Sequence, residues 1–145
     1  MDLAPDFPTV TGVLAMPSHW TLTLPAPFKR RIEDGSLVLW TPELTFWIDI
    51  WNNDAKVPAD AQLARILKEA NPDRSDERLE RAGGLLRLTY ELADDDGDEP
   101  DAGGPSISGH VISGAGYVQV AAYYDTPAAR AQAYEVIHSI HESTP

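Results

Sequence analysis

Between Phe28 and Asn53 two turn signals divide three strand-like runs, and three tryptophans, Trp40, Trp47 and Trp51, fall inside them. Asp34-Gly35 is the dipeptide a type I′ hairpin turn favours, because both central residues need positive φ. Pro42-Glu43 reverses the chain again, into Leu44 to Asn52. A two-residue turn there sets Leu39 opposite Phe46, Leu37 opposite Ile48, Val38 opposite Trp47 and Trp40 opposite Thr45. One face of the meander is then Leu37, Leu39, Phe46, Ile48 and Ile50, and the other is Val38, Trp40, Trp47, Asp49 and Trp51. An antiparallel sheet with one wetted face alternates apolar with polar, whereas this one is apolar on both sides. A second cover is required. It is either a helix or the N-terminal segment of the same chain, or another protein's surface, since aromatic residues are enriched where proteins meet.

The chain's 145 residues suit one domain, residues 1–145, able to bury roughly two-thirds of its unfolded surface. Cysteine is absent, which excludes a disulfide scaffold, a thiolate zinc site and a cysteine nucleophile. The first residues lack the basic start and apolar run of a signal peptide, and no stretch has the length of a membrane span, so a cytoplasmic protein is expected. A formal charge of −12 opposes nucleic acid and anionic membrane as partners, because each phosphate contact needs a lysine or arginine. Much of that charge is local: Asp94 to Asp101 holds six acids and no base. Followed by Ala102-Gly103-Gly104, the run reads as a flexible acidic loop over 94–104. A calcium loop would need glycine sixth, and Gly97 in that role puts Leu92 at the first ligand position.

Strands are expected over Thr9 to Ala15 and Trp20 to Leu24, the latter bounded by Pro17, Pro25 and Pro27, before the three-strand meander. Pro58 to Asn71 carries Ala59, Leu63, Ile66, Leu67 and Ala70 at helical spacing. Glu77 to Ala82 and Leu85 to Ala93 flank Gly83-Gly84, a second primed-turn signal. Ile107 to Ile112 and Tyr117 to Tyr124 enclose Ser113-Gly114-Ala115-Gly116. A last helix opens on Thr126 as N-cap with Pro127 at its first position and runs to Ser143, its stripe being Ala129, Ala133, Val136, Ile137 and Ile140. Hairpins in series with two helices predict an α+β fold, a mainly antiparallel sheet of six or seven strands with both helices on its core side.

The run Tyr117-Val118-Gln119-Val120-Ala121-Ala122-Tyr123-Tyr124-Asp125-Thr126-Pro127, leading into a helix that ends Val136-Ile137-His138-Ser139-Ile140, resembles the PsbP-like α/β sandwich superfamily. Met16-Pro17-Ser18-His19-Trp20-Thr21-Leu22-Thr23-Leu24-Pro25 is similar to its first long strand, and the likeness is closest to small bacterial members. That superfamily includes a photosystem II subunit, a nuclear-import factor that binds a small GTPase, and chaperones of type VI secretion effectors. The resemblance therefore implies binding or assembly rather than a shared chemistry, and no functional residue carries over.

Motifs of chemistry are sparse. No nucleophile elbow, phosphate loop, His-Glu-x-x-His or dinucleotide fingerprint occurs. His138 and His141 stand three apart on the expected last helix, near Glu135 and Glu142, where a metal would compete with the more usual role of histidine at a helix C-terminus. His19 and His110 read as surface or turn histidines. Asp49 lies between Trp47 and Trp51, where a carboxylate against indole rings can act as a general acid, or can face water at the sheet rim. No cofactor and no metal are expected. The leading expectation is a non-enzymatic bacterial binding or adaptor domain whose recognition face is Trp40, Trp47, Asp49 and Trp51, with a protein partner or self-association as a homodimer. Two alternatives stand beside it: a small hydrolase-like enzyme using Asp49 with a histidine, and an effector chaperone or toxin-neutralising protein whose acidity suits a basic partner.

Overall fold

The structure is a computed structural model that describes residues 7–16, 19–53, 56–70, 72–82, 84–92 and 105–142; the acidic segment 94–104 lies outside them. In chain order the elements are β1 (Thr9–Met16), β2 (Trp20–Glu33), β3 (Ser36–Thr41), β4 (Leu44–Asn52), α1 (Ala59–Glu69), β5 (Ser75–Ala82), β6 (Leu85–Leu92), β7 (Ser106–Ile112), β8 (Gly116–Tyr124), α2 (Pro127–Ser139) and β9 (His141–Glu142). The fold is α+β. Its described strands form one nine-stranded sheet in the order β1-β2-β3-β4-β8-β7-β6-β5, with β9 on β2. All of these pairings are antiparallel.

Local chemistry accounts for the first meander. Asp34 and Gly35 both take positive φ, 50° and 87°, as a primed turn requires. Across the next turn Leu37 pairs with Ile48, Val38 with Trp47, Leu39 with Phe46 and Trp40 with Thr45, the register expected from a two-residue connection. The sheet has nine strands where six or seven were expected, and two strand boundaries differ from expectation for physical reasons. Pro25 and Pro27 do not end a strand: between the pairs Val10–Phe28 and Gly12–Leu24, β2 advances four residues against two in β1. The prolines sit in that bulge, where no ladder N–H is needed, so β2 continues for 14 residues. At the other end, α2 stops at Ser139 instead of reaching Ser143. Ile140 turns extended at ψ 124°, and His141 and Glu142 pair with Thr21 and Trp20 as a ninth strand. The Ser139 hydroxyl, accepting from the Thr23 N–H at 2.8 Å, extends this edge pairing.

The helices lie on opposite faces of the sheet, which corrects the expectation that both share the core side. Alternation along β7 separates the two layers: Ile107 and Val111 belong with Phe46, Ile48, Val118 and Val120 in the cluster containing α2. Ile112 belongs with Leu86, Leu88 and Tyr90 in the cluster containing Leu63 and Ile66 of α1. A sheet apolar on both faces is stable only when both are dried, and each helix dries part of one. Leu63, Ile137 and Ile140 are buried as expected, while Leu67 is only half-buried. Thr126 caps α2 as read from the sequence, its hydroxyl accepting from the Ala129 N–H at 3.0 Å. At the other end of that helix the buried guanidinium of Arg87 donates to the Ile140 carbonyl at 2.8 Å and to Glu80 at 2.6 Å.

α2 lies close on the sheet at Gly109, where a Cβ would stand 3.0 Å from Ile137 Cγ2. We expect Ile137→Ala to cost about 2–5 kcal/mol in urea unfolding. Gly109→Ala should cost about 1–3 kcal/mol by overpacking. Its cost should fall in an Ile137→Ala background, where the opposing Cγ2 methyl is gone; strict additivity of the two substitutions would show that they do not touch.

Candidate functional site

The face of the sheet that carries α1 is only partly covered. At one end Trp40 is 8% exposed, boxed by Phe7, whose ring meets it edge-on at 5.4 Å, and by Arg31, whose guanidinium lies 4.7 Å from the indole centroid. Arg31 also reaches to 5.7 Å from Trp47, which is half-buried. At the other end Trp51 is 48% exposed and stacks on Tyr117, its cross-strand neighbour, with centroids 6.1 Å apart. Of the four residues picked out by sequence, the structure thus leaves Trp47, Asp49 and Trp51 together at the surface and withdraws Trp40 beneath an arginine. Asp49 accepts a hydrogen bond from the Ser36 hydroxyl across the meander.

Register places Asp49 beside Gln119 and Gln119 beside His110, one row crossing β4, β8 and β7 on this face. Two inter-strand spacings separate the carboxylate from the imidazole at the backbone, about 10 Å. They do not form an acid–base pair. His110 itself is 5% exposed, stacked against Tyr90 at 6.1 Å, and neither ring nitrogen has a hydrogen-bond partner among the described residues. Burial, reinforced by the nearby positive charge of Arg65, pushes its pKa down to about 4, so the imidazole is neutral at pH 7. It lines a pocket of about 190 Å³ under the C-terminal half of α1. Arg65 stands at this pocket, tied to Gln62 at 3.0 Å and to the Tyr117 hydroxyl at 3.2 Å.

A second cluster lies on the other face. Glu91 of β6 accepts from Arg130 Nε at 2.9 Å and from Arg130 Nη2, and from the hydroxyls of Tyr134 at 2.7 Å and Tyr124 at 3.1 Å. Asp76 shares Arg130 at 3.4 Å. Arg130 chiefly, with Tyr134, Asp76 and Tyr124 assisting against a smaller opposing effect of burial, holds the Glu91 carboxyl down at about 2. Burial and the adjacent carboxylate raise both tyrosines, which keeps them as donors. A carboxylate whose acceptor sites are filled and whose proton is gone at neutral pH neither gives nor takes one; the cluster fastens α2 to β6 and β8. The sequence offered only a faint signal for it, an acid inside an apolar strand and an Arg–Tyr pair spaced four apart on a helix.

The other histidines are dispersed. His138 is exposed on α2 against the Tyr134 ring, whereas His141 is in β9 and not on the helix. Its Nδ1 lies 2.8 Å from the Ser139 carbonyl and therefore donates, leaving Nε2 to accept from the Thr21 hydroxyl at 3.1 Å. His19 is exposed at φ 67° just before β2. Among the described residues no group of three or more histidine, aspartate or glutamate side chains is placed to hold a metal ion, and no helix is long and apolar enough to cross a membrane. No protein-family model matches the chain, and no curated protein matches it.

Glu91 carries a pH signature. Above the ordinary value of 4.5 its carboxylate is ionised in both folded and unfolded states and its stabilisation is fully present; this fades as the pH falls toward 2. Glu91→Gln should lower stability at pH 7 by up to roughly 3 kcal/mol and flatten the loss between pH 5 and 2, read from urea midpoints. For His110, the imidazole proton resonances should titrate near 4, and Arg65→Met should raise that value only part of the way to 6.5, because burial is the larger cause.

Proposed function

We propose that this chain is a non-enzymatic bacterial binding domain of the PsbP-like α/β sandwich kind, acting in the cytoplasm, with Trp47, Asp49 and Trp51 as its recognition face. The observation that carries this reading is Trp51: half-exposed, yet held flat by stacking on Tyr117, in a sheet that buries Phe28, Trp40 and Phe46. A rigid aromatic anchor costs little ordering entropy when it enters a partner's pocket, and tryptophans dominate the energetics of protein interfaces. The occupant we infer is a basic protein surface. Two copies of a chain with a charge of −12 repel one another, whereas a basic partner is steered in. An effector chaperone or toxin-neutralising role is a special case of this reading, with a basic client. The hydrolase reading draws no comparable support, because Asp49 is engaged by Ser36 and lies two strands from His110.

Photo-cross-linking tests this in cells that express the protein natively, with the cross-linking residue at position 51 and, as a control, at position 79, where Leu79 is 46% exposed on β5. A basic protein captured at 51 and not at 79, and released in vitro by raised salt, is the expected result. Capture of a second copy would replace the basic partner by self-association. Equal capture at both positions would remove the recognition face altogether. Trp51→Ala should abolish binding of the partner so identified to the purified protein while changing stability by less than about 1 kcal/mol, since so exposed a side chain contributes little to the core.

A further inference from the structure

His110 is the one described side chain whose polar atoms are all buried and all without a hydrogen-bond partner among the described residues. Leaving such a group unpaired costs on the order of 1–3 kcal/mol, and native folds seldom tolerate it without a reason. Its surroundings supply one. The ring lies against Tyr90, and the pocket beside it is bounded by Tyr117 and Gln119 of β8 and by Ile66 and Ala70 of α1. A volume of about 190 Å³ compares with the roughly 150 Å³ that accepts benzene, room for one ring and a small substituent. Aromatic and aliphatic walls suit the ring. Of the polar groups, the Arg65 guanidinium donates only, the Gln119 amide, the imidazole and the hydroxyls of Tyr90 and Tyr117 can each donate, and Glu69 is the single carboxylate.

We propose that the pocket beneath α1 binds a small single-ring aromatic carboxylate, its ring against Tyr90 and Tyr117 and its carboxylate taken by Arg65 and His110. Arg65 is suited to the task because its Nη1 has only a long contact, 3.5 Å, to Glu69, while Nε and Nη2 are anchored to Gln62 and Tyr117. An anchored guanidinium with one free edge presents a preformed donor to a carboxylate. Both His110 nitrogens are covered, so the imidazole joins the carboxylate through a small shift of the pocket wall, while Arg65, 47% exposed, keeps its own hold on the anion. The positive potential Arg65 casts on the imidazole is the same one that would draw in an anion, despite the acidity of the chain as a whole. The site is separate from the recognition face proposed above and stands or falls without it.

Calorimetric titration with benzoate, benzyl alcohol and acetate tests the assignment on the whole chain. Benzoate should bind saturably at one site, with the neutral ring and the ringless carboxylate each at least about tenfold weaker. Arg65→Met, at an exposed helix position, should fold normally and weaken benzoate by about tenfold or more. The imidazole resonances supply a readout a purely structural histidine would not give. The charged and titratable groups around His110 are Arg65 and Glu69 from α1, Tyr90 from β6 with Arg74 over its ring, and Tyr117 from β8. The midpoint is read from the imidazole's own resonances, so a benzoate-induced rise belongs to His110. Benzyl alcohol matching benzoate, acetate matching benzoate, an unaffected Arg65→Met, an unmoved His110 midpoint, or no saturable binding up to millimolar benzoate would each overturn the proposal.

Discussion

The pairing of β4 with β8 is the contact on which the rest of the molecule depends. Nine residues of β4 run antiparallel to nine of β8, from Leu44 beside Tyr124 to Asn52 beside Gly116. On one side of that seam is the meander β1 to β4, on the other the meander β8-β7-β6-β5, and this ladder alone joins them into one sheet. Pairing across more than sixty positions of chain carries a loop-closure cost that only burial can offset. That burial comes from α2, which packs against both β4 and β8 and contributes Val136 and Ile137 to the core they share. The same ladder brings Trp51 to Tyr117 and sets Asp49, Gln119 and His110 in a row.

A sheet apolar on two faces demands two covers, and this chain has unequal means of supplying them. On one face α2 and the β2 residues Trp20, Leu22, Leu24 and Phe28 complete a continuous core. On the other, α1 dries β6 and β7, Phe7 and Arg31 dry Trp40, and Trp51, stacked on its neighbour Tyr117, stays half-exposed. Arg31 is an economical cover, since a guanidinium laid over an indole shields apolar surface while its charge stays near water.

Three polar groups, Arg87 and His110 buried and Glu91 partly so, show how differently a fold can treat its charges and dipoles. Glu91 is saturated with donors and becomes a fastening. Arg87 spends its guanidinium on the end of α2 and on Glu80. His110 is neutral and unpaired beside a pocket. Saturation removes chemistry from a group, and its lack retains it. The contrast directs attention to His110 rather than to the more conspicuous carboxylate.

Much of the architecture was legible in local pattern. Asp34-Gly35 and Pro42-Glu43 set the meander register residue by residue, because turn geometry and period-two alternation are local properties. The stripes of both helices and the Thr126 cap follow from spacing in the same way. Which face each helix covers did not, because a stripe specifies that a helix is buried and not against what. Nor did the continuity of β2 through Pro25 and Pro27, where a bulge matched by β1 overrides the usual reading of proline as a strand boundary. The Glu91 cluster and the His110 pocket are assembled from β6, β7, β8 and the helices, elements distant in sequence whose proximity depends on sheet order. Sequence by itself determined the strands, turns and apolar stripes of this protein, since these rest on sterics and periodicity between near neighbours. Only the tertiary structure decided which polar groups are satisfied, which tryptophan is left at the surface and where a pocket opens, since those depend on long-range packing that no local pattern encodes.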